Sequence, residues 1–143
     1  MRFAASAVLL ALLPAPSPAQ RRTVDTFCSE LRRVVHATGE TPPFASLAAT
    51  RGTLPGFGDC TLFNDRHGRR FSCTARADPA LFQQLVDQVA RCLTGAIQRP
   101  DEAGLPLVQF RTATALIAIR QYPLHGDGSG IPLSFSVHPI PIH

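Results

Sequence analysis

Apolar side chains along this chain keep a helical spacing in two stretches and a strand-like spacing in three others. In "TVDTFCSELRRVVHATG", Val24, Phe27, Cys28, Leu31, Val34 and Val35 recur at three- and four-residue steps, which gathers them on one face of a helix. Asp25 falls in the first turn of this predicted helix, beside the positive end of its dipole, with Thr23 placed to cap the start and Gly39 to stop the end. A second helix is predicted from Pro79, whose missing N–H does no harm at a first helical position, with Asp78 as its N-cap. Phe82, Leu85, Val86, Val89, Cys92 and Leu93 form its apolar stripe, and Gly95 follows its end.

The stretch "DCTLFNDRHGRRFSCTA" instead alternates apolar and polar residues on both sides of "NDRHG", the pattern of a hairpin. A turn centred on Arg66 and His67 sets Leu62 opposite Phe71 and Cys60 opposite Cys73. Opposed residues in an antiparallel pair point to one side of the sheet. Cys60, Leu62, Phe71 and Cys73 therefore share one face, and Thr61, Arg70, Ser72 and Thr74 the other. Farther on, "LVQFRTATALIAIRQY" is rich in β-branched and aromatic residues and becomes continuously apolar from Leu116, while "IPLSFSVHPI" alternates with Leu133, Phe135 and Val137 on one face. With "PLHGDGSG" as a wide turn, these two runs make a second hairpin. The segment "ETPPFASLAATRGTLPGFGD" reads as an extended connection pinned by Phe44 and Leu47, and "AIQRPDEAGLP" as a loop.

The resulting order, α-β-β-α-β-β, predicts a two-layer α+β fold. An antiparallel sheet of four or five strands is covered on one face by two helices, and its other face stays in water, as the alternation requires.

Composition then locates the protein. The opening "MRFAASAVLLALLPAPSPAQ" carries one arginine, an apolar run from Phe3 to Leu13, and then proline and small residues, the layout of a secretory signal peptide. That run is shorter than the roughly 20 residues needed to span a membrane, so the chain is expected not to be membrane-spanning. Ser17 and Ala19 suit a signal peptidase, which puts cleavage after Ala19, with Ala15 as the alternative. Residues 1–19 are thus expected to leave, and residues 20–143 to form a single domain, periplasmic or secreted.

Four cysteines are an even number in an oxidising compartment, where paired thiols are the rule. Cys28, Cys60, Cys73 and Cys92 all fall on inward-facing positions and are expected to form two structural disulfides. If the second helix runs back along the strand before it, it returns Cys92 close to Cys73. That favours Cys73–Cys92 with Cys28–Cys60, and Cys60–Cys73 with Cys28–Cys92 is the runner-up. A redox pair would need closer spacing, and a zinc site clustered ligands. Twelve residues separate even the nearest two cysteines.

Every one of the fourteen basic side chains is arginine, and the formal charge of +4 falls by one when Arg2 leaves with the signal. With no Trp and one Tyr, the aromatic stacking residues that single-strand binders need are missing. Nucleic acid is therefore not an expected partner, and a mild positive excess suits an acidic protein or envelope polymer.

Candidate chemistry is sparse. The loop His125, Gly126, Asp127, Gly128, Ser129, Gly130 fails as a nucleophile elbow, because Asp127 and Ile131 stand where glycines are required. It also fails as a calcium loop, having a single carboxylate, and is instead the expected contact loop for a partner. His138 and His143 flank "PIPI" without a third metal ligand, and His36 sits favourably at a helix C-terminus. No catalytic residue, cofactor or metal is expected. The leading expectation is an exported, non-catalytic binding module of the cell envelope, presenting a sheet face or the loop 125–130. The alternatives are a small secreted hydrolase assembled from distant loops, and an envelope protein that self-associates through a strand edge. N-terminal sequencing of exported material is expected to begin at Gln20, and a start at Met1 would remove the export reading.

Overall fold

The structure is a computed structural model and describes residues 17–48, 54–76, 79–100, 106–122 and 132–141. Helix α1 runs from Pro18 to Ala37, earlier than the apolar stripe predicts. Proline is pre-set for a first helical position, so the helix extends upstream through polar residues. Asp25 therefore lies in the body of the helix, not its first turn. Thr23 does not cap it, but donates its hydroxyl to the Ala19 carbonyl at 3.3 Å. Phe27, Cys28, Leu31 and Val34 are buried along the predicted stripe, and Gly39 follows the helix end.

The connection to the sheet includes a short 3-10 turn, Ala45–Leu47. Phe44 takes a left-handed backbone, φ 62°, a conformation that costs a residue with a Cβ about 1–2 kcal/mol. Its ring is fully buried, and burying a side chain of that size contributes roughly 1.5–3 kcal/mol in return. Leu47 and Leu54 are buried beside it, so the connection is pinned where Phe44 and Leu47 predicted.

Strands β1 (Asp59–Asp65) and β2 (Gly68–Arg76) form the expected hairpin in the expected register, Cys60 opposite Cys73 and Leu62 opposite Phe71. The Asp65 carboxylate accepts the His67 backbone N–H at 2.8 Å, and Gly68 supplies the positive φ of 97° that closes the turn. Helix α2 spans Pro79–Cys92, starting at the predicted proline. Asp78, the cap that the sequence predicts, lies outside the described residues. Leu85, Val86, Val89 and Cys92 are buried.

The second half departs from expectation. Among the described residues four strands follow α2, not two: β3 (Ile97–Pro100), β4 (Leu107–Arg111), β5 (Ala115–Gln121) and β6 (Pro132–Pro139). The sheet is antiparallel with six strands, in the order β1-β2-β6-β5-β4-β3. The run "LVQFRTATALIAIRQY" is two strands folded about Thr112. The Thr112 backbone N–H donates to the Ala115 carbonyl at 2.9 Å, and its hydroxyl accepts the Ala115 N–H at 3.0 Å. A threonine hydroxyl thus closes a turn that contains neither glycine nor proline. The tetrapeptide β3, read as loop, is a strand only because β4 lies beside it.

Burial is one-sided. Phe71, Cys73, Phe110, Ala115, Ile117, Ile119, Leu133, Phe135 and Val137 point toward the helices and join their stripes in one buried cluster. Both helices lie over this face, which gives the α+β, two-layer arrangement.

Two disulfides form, Cys28–Cys92 and Cys60–Cys73. The favoured pairing Cys28–Cys60 with Cys73–Cys92 is therefore corrected to the runner-up. The reason is a crossover. Helix α2 does not run back along β2; it carries the chain from β2 to β3 at the far edge of the sheet, so its end leaves Cys73 and meets α1. Cys28 and Cys92 sit where the helices touch, 5.0 Å apart at Cα, and the Arg32 Nε donates to the Cys92 carbonyl at 3.3 Å. Cys60 and Cys73, directly opposed, are 4.0 Å apart at Cα, near the spacing of a non-hydrogen-bonded antiparallel pair.

The two bonds close loops of different length, with sequence separations of 64 and 13. Loop entropy gives about 4 kcal/mol for the longer and about 3 kcal/mol for the shorter. Peptide mapping of oxidised protein is expected to recover these pairs. In calorimetry, C28A/C92A should melt below C60A/C73A by roughly 4 °C, and the reverse order would contradict the loop account.

Candidate functional site: the open face of the sheet

Because side chains alternate along each strand, the residues between the buried ones form a second face that no described helix covers. Reading across the register, one row runs Phe63, Arg70, His138, Leu116, Arg111, Ile97, the next Thr61, Ser72, Ser136, Ala118, Gln109, Arg99, and a third Asp59, Thr74, Ser134, Arg120, Leu107. The middle row is mostly small, so its floor lies low between longer side chains. Arg76 and Tyr122 extend the same face at one end.

Charge on this face is unbalanced. Among the described residues it carries Arg70, Arg76, Arg99, Arg111 and Arg120 against Asp59 and Asp65. It also holds Phe63, Ile97 and Tyr122, which are the exposed large apolar side chains among the described residues, at 41, 56 and 41 % exposure. Such mixtures of arginine with aromatic and aliphatic side chains mark contact surfaces.

Two of the arginines are anchored. Arg70 forms an ion pair with Asp65 and lies over the Phe63 ring, 4.7 Å from its centroid. The His67 N–H and the Arg70 guanidinium hold the Asp65 carboxyl below the usual carboxylate range. Arg120 lies over Tyr122, 5.8 Å from the ring centroid.

Half-buried His138 stands beside Arg70, and its Nε2 lies 3.1 Å from Ser136 Oγ. Burial, and then the positive charge of Arg70, hold the ring's pKa below the ordinary histidine value of 6.5, with Asp65 acting weakly in the other direction. A neutral imidazole next to a serine is one part of an acyl-transfer site. Such a site also needs a cleft and convergent oxyanion donors, and neither His138 nor Ser136 lines the hollow around Glu40, Thr114 and Ile140. The sequence offered His138 only as half of a metal pair with His143, which lies outside the described residues. Its contact with Ser136 follows from their two-residue spacing on a strand.

The other described residues that the sequence singles out lie apart from this face. All four cysteines are consumed in disulfides, and among the described residues no three His, Cys, Asp or Glu side chains gather as a metal site. His36 is exposed on the last turn of α1, and His67 is exposed at the hairpin tip with the Arg66 Nε donating to its Nε2 at 3.2 Å. The contact loop His125, Gly126, Asp127, Gly128, Ser129, Gly130 lies outside the described residues, between β5 and β6. Among the described residues, the cleft between α2 and the sheet around Phe57, Leu81 and Leu133 holds about 80 Å³, and more open hollows of about 450 Å³ beside Asp59 and Arg76 and about 370 Å³ around Glu40, Thr114 and Ile140 are not lined by His138 or Ser136.

No helix among the described residues is long and apolar enough to cross a membrane. What fold and face define is a disulfide-stapled α+β protein with an arginine-rich open sheet. Set beside known protein families, characterised proteins and solved structures, the chain matches none.

The surroundings of His138 fix the direction of its titration. A folded-state pKa held below the unfolded one means that the neutral ring's contribution to stability is present above the unfolded value and is lost as pH falls through it toward the folded value. In an NMR titration His138 should protonate below ordinary histidine, and Arg70→Gln, which removes a positive neighbour and frees Asp65, should move it upward. An unchanged value in that variant would separate Arg70 from His138.

Proposed function

We propose that this protein is an exported, non-catalytic binding module that receives an acidic partner, a protein or an envelope polymer, on the open face of its sheet. One observation carries the reading: among the described residues, the face left bare by the helices gathers five arginines against two aspartates together with Phe63, Ile97 and Tyr122. Unequal charge of this kind speeds encounter with an opposite surface and selects for it. It also sets two copies of the face against each other, which weighs against self-association by face-to-face stacking.

Support for export comes from the signal-like residues 1–19 and from two disulfides, which are consistent with an oxidising compartment. Periplasmic or secreted residence of residues 20–143 as one domain belongs to this proposal. The Ser136–His138 contact is the one observation that favours a hydrolase. Neither residue lines the hollows beside Asp59 and Arg76 or around Glu40, Thr114 and Ile140, so the binding reading stands ahead of it.

Affinity capture from envelope extract on immobilised oxidised protein tests the reading. Material retained by the native protein is expected to be lost from a variant carrying Arg70→Glu, Arg111→Glu and Arg120→Glu, and to persist when residues 125–130 are removed. Retention that survives the arginine changes but not the loop deletion would move the contact to that loop and end the sheet-face reading.

A further inference from the structure

Within the open face, one cluster of arginines is paired with no acidic side chain among the described residues. Gln109 sits in the middle of β4. The pairings set Arg99 directly across from it on β3, Arg111 two residues along its own strand, and Arg120 on β5 two residues beyond its partner Ala118. With strands about 4.8 Å apart and about 3.4 Å per residue, the three arginine Cα atoms lie within roughly 8–9 Å of that of Gln109, all on one side of the sheet. All three arginines are exposed. The ion pairs among the described residues engage Arg33 and Arg70 instead, and the two aspartates of the face belong to β1, at the opposite edge.

We infer that the arginines around Gln109 form a site for the phosphate groups of a linear phosphate-bearing polymer, an inference that rests on the acidic-partner reading and narrows it. Guanidinium forks bind such oxygens through paired, charge-assisted hydrogen bonds. A chain phosphate and a carboxylate each offer two charged oxygens, but those of the tetrahedral phosphate accept from directions outside one plane and so suit forks arriving from neighbouring strands, whereas a carboxylate accepts best within its own plane. The aromatic rings do not favour a sugar or a base. Phe63 and Tyr122 each have an arginine over one face of the ring, so recognition falls on charge and not on stacking.

Isothermal titration of the oxidised protein with long-chain inorganic polyphosphate, and with polygalacturonate as the carboxylate counterpart, tests the site. Polyphosphate is expected to bind at least about tenfold more tightly than polygalacturonate. R99Q/R111Q/R120Q should weaken it by roughly tenfold or more and lower the salt dependence by about two to three counterions. The control R33Q/R66Q/R91Q removes the same charge elsewhere and should change binding less than about twofold. Independently of any variant, polyphosphate added to native protein should shift amide resonances of β3, β4 and β5 and leave β1 in place.

Equal weakening by both triple variants, equal binding of the two polymers, shifts centred on β1, or no binding would each overturn the phosphate-polymer site. If polyphosphate fails to bind while envelope capture still depends on the face arginines, the acidic-partner reading stands and this narrowing of it falls.

Discussion

Phe110, Ile117, Ile119 and Phe135 lie on three neighbouring strands and, with α1 and α2 above them, are almost completely removed from water. Each contributes roughly 1.5–3 kcal/mol by burial, and each does so only while its strand keeps its register. A slip of one residue would turn every one of these side chains outward. This one-sided burial holds the remaining features in place: it sets the pairing of the central strands and seats the helix stripes. By assigning every second residue to the core, it also commits the intervening residues to the bare face. The arginines of that face are where they are because Phe110 and Ile117 are where they are.

The crossover through α2 has consequences at two distant points. In carrying the chain from β2 to the far edge, it brings Cys92 under α1, so the longer disulfide ties helix to helix while the shorter one stays within the β1–β2 hairpin. It also delivers β3 to the open side of β4, which sets Arg99 opposite Gln109. The bond that braces the helical layer and the charge cluster on the opposite surface thus share one topological cause. His138 and Ser136 belong to the other half of the face, where Asp65 and Phe63 hold Arg70. Among the described residues the two halves differ in kind: in one Arg70 is paired with Asp65, and in the other Arg99, Arg111 and Arg120 have no acidic partner.

Several elements were legible from spacing. The stripe from Phe27 to Val34, the stripe from Leu85 to Cys92, and the opposition of Cys60 to Cys73 across a turn at Arg66 and His67 all follow from local periodicity, and the structure repeats them. The turn at Thr112 left one faint trace. The inward residues are Val108 and Phe110 before it, and Ala115, Ile117 and Ile119 after it, so the phase of the alternation changes from even to odd. Leu116 and Ala118, apolar yet on the outer face, hide that change within a continuous apolar run. Strand β3 left no trace, since "IQRP" has neither length nor alternation, and a neighbour alone makes it a strand. The candidate site fared similarly. Its arginines looked scattered along the chain, and only the pairing of β3, β4 and β5 brings Arg99, Arg111 and Arg120 around one glutamine.

The amino-acid sequence by itself determined which residues are apolar, at what period they recur and which of them face inward within each helix and within the first hairpin, because these depend on backbone geometry over a few neighbouring residues. Tertiary structure alone decided the strand order, the partners of the four cysteines and the make-up of the open face. Those depend on where a helix sets the chain down after crossing the sheet, and that is settled by the packing of side chains far apart along the chain, which no local spacing encodes.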